Sequence, residues 1–125
     1  MTQKERQLLL KDLCTRVPYG VIYHRNDGAN IELREVDIKN GTLNYTDNIV
    51  VRDCKPYLRP MSSMTEEERL VYEQRLHDVG RSIDVIDADD VVSHIDWLLS
   101  KHFDFRGLIH MGLALEAPEG MYQNR

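Results

Sequence analysis

The side chains best suited to chemistry in this sequence are His94, His102 and His110, with Asp90 and Asp96 close by. Asp90 and His94 stand four residues apart, a spacing that lets two side chains touch on one helix face. A carboxylate beside an imidazole could orient a general base or help hold a metal ion. The plainer reading is an exposed pair worth roughly a few tenths of a kcal/mol. His94 and His102 are eight positions apart, about 80° around a helix, and do not converge on one ion. No HExxH pattern is present. Asp84, Asp87, Asp89 and Asp90 lack the spacing, the glycine bend and the closing glutamate of a calcium loop, whereas helix capping accounts for Asp87 and Asp90. Cys14 and Cys54 form no CxxC and have no histidine partner at zinc spacing, so both read as thiols. Ser62 and Ser63 sit in no GxSxG turn, and Gly107 to Gly112 lacks the Lys-Ser/Thr ending of a phosphate loop. The residue types therefore predict no catalytic residue, no metal site and no cofactor.

Recognition is better served. Tyr57, Arg59, Trp97 and Arg106 are of the types that dominate interface hot spots, and together they define a candidate binding surface. Arg52, Lys55 and Arg59 around Tyr57 also form a short basic stretch, read as a solvated connection or, alternatively, as a nucleic-acid contact. Against the alternative, Lys and Arg number 16 and Asp and Glu 21, for a net charge of −5. A protein that neutralises many phosphates usually carries the opposite surplus.

The elements that must position these residues follow from local patterns. With 125 residues, the chain has room for one domain, 1–125, that buries about two-thirds of its unfolded surface. Residues 3–16 form a helix whose apolar stripe is Leu9, Leu10, Leu13, Cys14 and Val17, with Asp12 off it; Pro18 ends it. Residues 19–52 form a β-meander with tight turns at Asp27-Gly28 and Asn40-Gly41. Two-residue loops there set His24 opposite Ile31 and Ile22 opposite Leu33, then Ile38 opposite Leu43 and Val36 opposite Tyr45. Ile31 and Leu33 have the opposite parity to Val36 and Ile38, which a bulge near Arg34-Glu35 would reconcile. Ile49 to Val51 make a further short strand, and the stretch from Pro56 to Pro60 is an extended connector.

Thr65 and Glu68 make a capping box that opens a helix over 65–79, with Gly80 as its terminator. A last helix over 88–102 presents Val91, Ile95, Leu98 and His102 on one face, joined by Val92 and Leu99. Residues 103–125 are apolar without period and pack as an irregular tail. The fold class is α+β: an antiparallel meander of three or four strands packed against about three helices.

Two segments, Lys55-Pro56-Tyr57-Leu58-Arg59-Pro60-Met61-Ser62-Ser63-Met64 with Thr65-Glu66-Glu67-Glu68, and Asp96-Trp97-Leu98 through His102-Phe103-Asp104-Phe105-Arg106-Gly107-Leu108-Ile109 to Gly112-Leu113-Ala114-Leu115-Glu116-Ala117-Pro118, together span roughly the second half of the chain. They resemble a group of small uncharacterised proteins of gut Bacteroides-type bacteria and their phage-like elements. The resemblance implies a mobile-element context and transfers no catalytic residue.

Without a leader or an apolar run long enough to span a bilayer, the expected location is the cytoplasm, with no membrane contact. The leading expectation is a non-enzymatic protein-interaction or adaptor protein, with a protein partner or self-association. A nucleic-acid-associated accessory protein using Arg52, Lys55, Tyr57 and Arg59 is one alternative. A small hydrolase using the histidines and aspartates of the last helix is another.

Overall fold

The first helix starts where a threonine can satisfy its free amides. In the computed structural model, which describes residues 2–25, 28–33, 35–37, 42–44, 48–50, 54–82 and 88–122, α1 spans Gln3–Arg16. Thr2 Oγ1 accepts from the Glu5 amide at 3.1 Å, and Glu5 Oε1 accepts from the Thr2 amide at 2.8 Å. This reciprocal cap is a second Thr-x-x-Glu box, legible in the sequence by the rule that located Thr65. A single 3₁₀ turn over Val17–Tyr19, with Pro18 inside it, then hands the chain to the sheet.

The protein is α+β, with a four-stranded, mostly antiparallel mixed sheet and three helices. The sheet contains β1 (Ile22–Arg25), β2 (Asn30–Glu32), β6 (Cys54–Leu58) and β7 (Leu115–Glu116), in the order β2-β1-β6-β7. Between β2 and β6 the chain forms β3 (Glu35–Asp37), β4 (Thr42–Asn44) and β5 (Asn48–Val50), a separate antiparallel sheet in sequence order. Helices α2 (Glu66–Ser82) and α3 (Ala88–Ser100) follow. Leu9 and Leu13 of α1 pack with Val21, Tyr23 and Leu58 of the sheet layer and with Leu108 and Leu113 of the tail; all are 0–3% exposed. No helix among the described residues is long and apolar enough to cross a membrane.

The first hairpin differs from the predicted register by one residue. The Gly28 amide donates to Arg25 O, and the Arg25 amide to Ala29 O, so the loop holds three residues rather than two. Gly28 takes the left-handed conformation (φ 92°) that ends such loops. Tyr23 therefore faces Ile31, and Ile22 faces Glu32. A one-residue slip exchanges the two faces of a strand. On the β1 side the core residues are therefore Val21 and Tyr23 in place of the expected Ile22 and His24, while Leu33 stays on the core face.

The second hairpin slips by two, which preserves its faces: Val36 pairs with Leu43 and Asp37 with Thr42. Leu33 follows β2 and Val36 lies in β3, which belong to different sheets, and Arg34 of the expected bulge lies outside the described residues. Arg34, Ile38, the Asn40-Gly41 turn, Tyr45 and Val51 lie outside the described residues, as do Asp27, Asp84 and Asp87.

The expected connector from Pro56 to Pro60 begins as a central strand. β6 pairs antiparallel with β1, Tyr23 opposite Pro56, and parallel with β7, Tyr57 opposite Leu115. Proline is tolerated there for a geometric reason. Leu58 O accepts from the Ala117 amide at 2.8 Å, so Leu58 directs its polar groups toward β7. Pro56, two residues earlier, turns its donor-less nitrogen the same way, ahead of the first β6–β7 pair. The all-antiparallel expectation fails at β7 because the tail returns alongside β6. α2 also runs past Gly80 to Ser82, and α3 ends at Ser100.

Two polar arrangements bind the tail to the body. Asp12 and Arg16, both 0% exposed, lie on the buried face of α1. Arg16 Nε donates to Asp12 Oδ2 at 2.7 Å, and its NH2 group to the Phe103 carbonyl at 2.9 Å. Arg106 Nε donates to Asp12 Oδ1 at 3.0 Å. Asp12 was expected off the stripe; neutralised by two arginines, it lies on it.

The second arrangement is Tyr122, whose hydroxyl accepts from the Ile22 amide at 2.9 Å and donates to Tyr57 O at 2.8 Å. The next step of the β1–β6 register would set Ile22 opposite Tyr57, so the hydroxyl continues the ladder where the strands diverge. Tyr122→Phe is expected to lower the unfolding free energy by about 1–3 kcal/mol, because it strands two backbone groups; urea titration reads the change. Arg16→Met is expected to cost about 3–5 kcal/mol by uncovering the buried Asp12 charge. Adding Asp12→Leu should recover much of that loss in the same titration.

Candidate functional site

Arg59 stands just after β6, in an isolated parallel bridge with Phe103. Its amide donates to His102 O, and its carbonyl accepts from the Asp104 amide, both at 2.8 Å. The guanidinium makes a two-pronged contact with Glu68, at 2.7 and 2.8 Å, and reaches Ser63 O at 3.2 Å. It also lies 4.3 Å from the centre of the Phe103 ring. Trp97 meets the same ring, with centroids 5.9 Å apart. Two of the four predicted binding residues thus converge on Phe103.

The other two are placed differently. The Tyr57 hydroxyl lies 3.3 Å from His24 Nδ1, and Arg106 belongs to the Asp12 cluster beside Phe105. Of the basic stretch, Lys55 is exposed, Arg59 is held by Glu68, and Arg52 lies outside the described residues.

The Thr65–Glu68 capping box forms as predicted. Glu68 Oε1 accepts from the Thr65 amide at 3.0 Å, and Thr65 Oγ1 from the Glu68 amide at 3.1 Å. The sequence does not reveal that Glu68 also receives Arg59. The Arg59 hydrogen bonds hold the Glu68 carboxyl down to about 2 from an ordinary 4.5, against the opposing effect of burial.

The histidines do not assemble. His94 is buried against Tyr72, ring centres 5.4 Å apart, and burial followed by the nearby Arg75 charge lowers its pKa. His94 Nδ1 has no hydrogen-bond partner among the described residues. His102 stacks on Tyr122 at 3.7 Å and 15°, while His110 is exposed. Among the described residues, no group of three or more His, Cys, Asp or Glu is placed to hold a metal ion. Cys14 is a half-buried free thiol whose pKa burial raises.

His102 has a conformational cause for its position. It is the only described non-glycine residue with positive φ, at 63°. The Phe103 amide donates to Leu98 O and the His102 amide to Leu99 O, the paired bonds of a helix end that normally uses glycine. The left-handed turn costs about 1–2 kcal/mol, which the buried stack on Tyr122 helps to offset.

Concave regions also occur among the described residues. One, of about 500 Å³, lies between Arg59, Thr65, Lys101, Glu116 and Glu119. Another, of about 480 Å³, lies between α2 and α3, with Leu70, Val71 and Asp78 on one wall and Asp90 and Ser93 on the other. Arg75 turns toward α3, donating to Ser93 Oγ at 2.7 Å and to Ser93 O at 3.2 Å. Leu70 is 63% exposed, Val71 41%, Val91 45% and Val92 55%. Periodicity had assigned Val91 and Val92 to the packed face of α3; the buried positions are His94, Leu98 and Leu99.

No family model, no curated protein and no solved structure matches this chain. Its functional reading therefore comes from the geometry itself. The Glu68 carboxylate should stabilise the fold fully above its unfolded pKa, near 4.5, and lose that contribution as pH falls toward 2. Urea midpoints against pH should show Glu68→Gln less stable than wild type at neutral pH, with the gap closing between those limits.

Proposed function

We propose that this protein is a protein-interaction module, an adaptor by its mode of action, whose contact surface is the α2–α3 helical pair. The observation that carries the reading is the exposure of Leu70, Val71, Val91 and Val92, adjacent pairs on two helices packed against each other. Single exposed apolar residues are ordinary on any protein surface; Leu70 and Val71 instead line the groove against α3, and Val91 and Val92, outside that lining, add exposed apolar area on the neighbouring helix. Burying such side chains contributes about 25 cal/mol per Å² of apolar area, enough for a small contact to form reversibly.

The resemblance of the second half to phage-element proteins is consistent with an adaptor that works in a mobile-element context. The Arg59–Glu68 contact supports the surface from beneath, by anchoring the start of α2 to the end of β6. Trp97, packed on Phe103 with Arg75 5.9 Å from its ring, anchors α3.

The test is proximity labelling in the native host with wild type and a Leu70→Asp/Val92→Asp variant. Both positions are exposed, so the variant should melt within a few degrees of wild type. The proteins labelled by wild type should be lost from the variant at least severalfold. Retention of the same set by a folded variant would place the contact elsewhere.

A further inference from the structure

Helix α2 is held lightly. Over residues 66–79 none of its side chains is fully buried, whereas Leu98 and Leu99 seat α3 in the body. The start of α2 is tied to the end of β6 by the Arg59–Glu68 contact. Farther along, Arg75 meets Ser93 and Trp97 of α3, and Tyr72 meets His94. His94 is 8% exposed, and its ring centre lies 5.4 Å from that of Tyr72. Its Nδ1 is buried and has no hydrogen-bond partner among the described residues. An imidazolium carries a donor on both ring nitrogens, so a proton taken up here brings a charge and a donor to a place without an acceptor.

Among the described residues, the charge that acts on the ring is Arg75, from α2. Asp90, one turn earlier on α3, has an interaction of its own. Neither it nor α1, which also packs on α3, brings an opposing charge to the ring. A protonated His94 would therefore set two cations together in the seam between the helices.

We propose that His94 is a pH-operated latch: when its ring takes up a proton, α2 comes away from α3 beyond Tyr72 while the body stays folded. Burial, and then the Arg75 charge, hold the ring's pKa below its ordinary 6.5. The closed seam is thus fully stable above 6.5 and weakens as pH falls below it. Glu68 keeps its charge down to about 2, so the Arg59 anchor still holds the start of α2 over that range. A helix with little buried surface opens locally at less cost than the core does. The latch does not depend on α2–α3 being a contact surface.

Hydrogen exchange of the full chain at pH 7.5 and 5.0, corrected for the intrinsic pH dependence of exchange, reads the latch. At pH 5.0 the α2 amides beyond Tyr72 are expected to lose protection at least tenfold, and those of α1 and the four-stranded sheet less than threefold. Return to pH 7.5 should restore it. His94→Phe keeps a ring against Tyr72, and His94→Gln keeps an uncharged polar side chain. Neither titrates, and in either folded variant the α2 loss should disappear. Wild type alone supplies a second reading: the His94 ring signals in NMR should titrate with the same midpoint as the α2 loss. Unchanged α2 protection, an equal loss in α1 and the sheet, separate midpoints, or a loss that persists in a folded variant would overturn the proposal.

Discussion

A guanidinium with no access to water must find its counter-charge and its acceptors inside the protein. Arg16 is in that position, and much of the architecture follows from how it is satisfied. Asp12, one helical turn earlier, supplies the charge, but it leaves Arg16 with donors to spare. The Phe103 carbonyl takes one of them, so the helix that opens the chain is completed by residues nearly ninety positions later. Arg106 adds a second cation to Asp12 from the same tail. A buried ion pair gives stability only when its surroundings supply further partners; here the tail supplies them to Asp12 and to one Arg16 amino group, while the other has no hydrogen-bond partner among the described residues.

The same tail completes the sheet. Phe103 bridges Arg59 at the end of β6, Leu115–Glu116 adds a parallel strand, and the Tyr122 hydroxyl fills the step where β1 and β6 part. His102 accepts a left-handed backbone at the end of α3, which redirects the chain from the helix to the bridge with Arg59. Asp104 holds the next turn by accepting from the Leu108 and Ile109 amides, at 2.8 and 2.9 Å. A segment without helical or strand period is thus ordered by hydrogen bonds that each reach a different element.

Against this hydrogen-bonded body, the α2–α3 pair is anchored at one end. Arg59–Glu68 and Trp97–Phe103 secure it to the tail and β6. Farther along α2, Leu70 and Val71 face solvent beside acidic residues. The contrast is physical: buried polar contacts tie the body together, while Leu70, Val71, Val91 and Val92 of the helical pair are exposed to solvent.

Local physics was readable from the sequence. The extent of α1, the Thr65–Glu68 cap, the burial of Leu9 and Leu13, and the α+β class all depend on neighbours within a few residues, where period and capping chemistry act directly. The Thr2–Glu5 cap obeys the same rule. What spacing could not reveal depends on distant groups. Hairpin registers turned on loop lengths that one Asx-Gly pair does not specify. Pro56 entered a central strand because β7, sixty residues away, begins its pairing just beyond it. Asp12 went inward because Arg16 and Arg106 meet it, and Arg59 is held by Glu68. Val91 and Val92 matched an apolar stripe as well as Leu98 and Leu99 did, and only the packing of α2 on α3 decided which of them met water. Periodicity reports which side chains can share a face; the chain that arrives from elsewhere decides which face is covered.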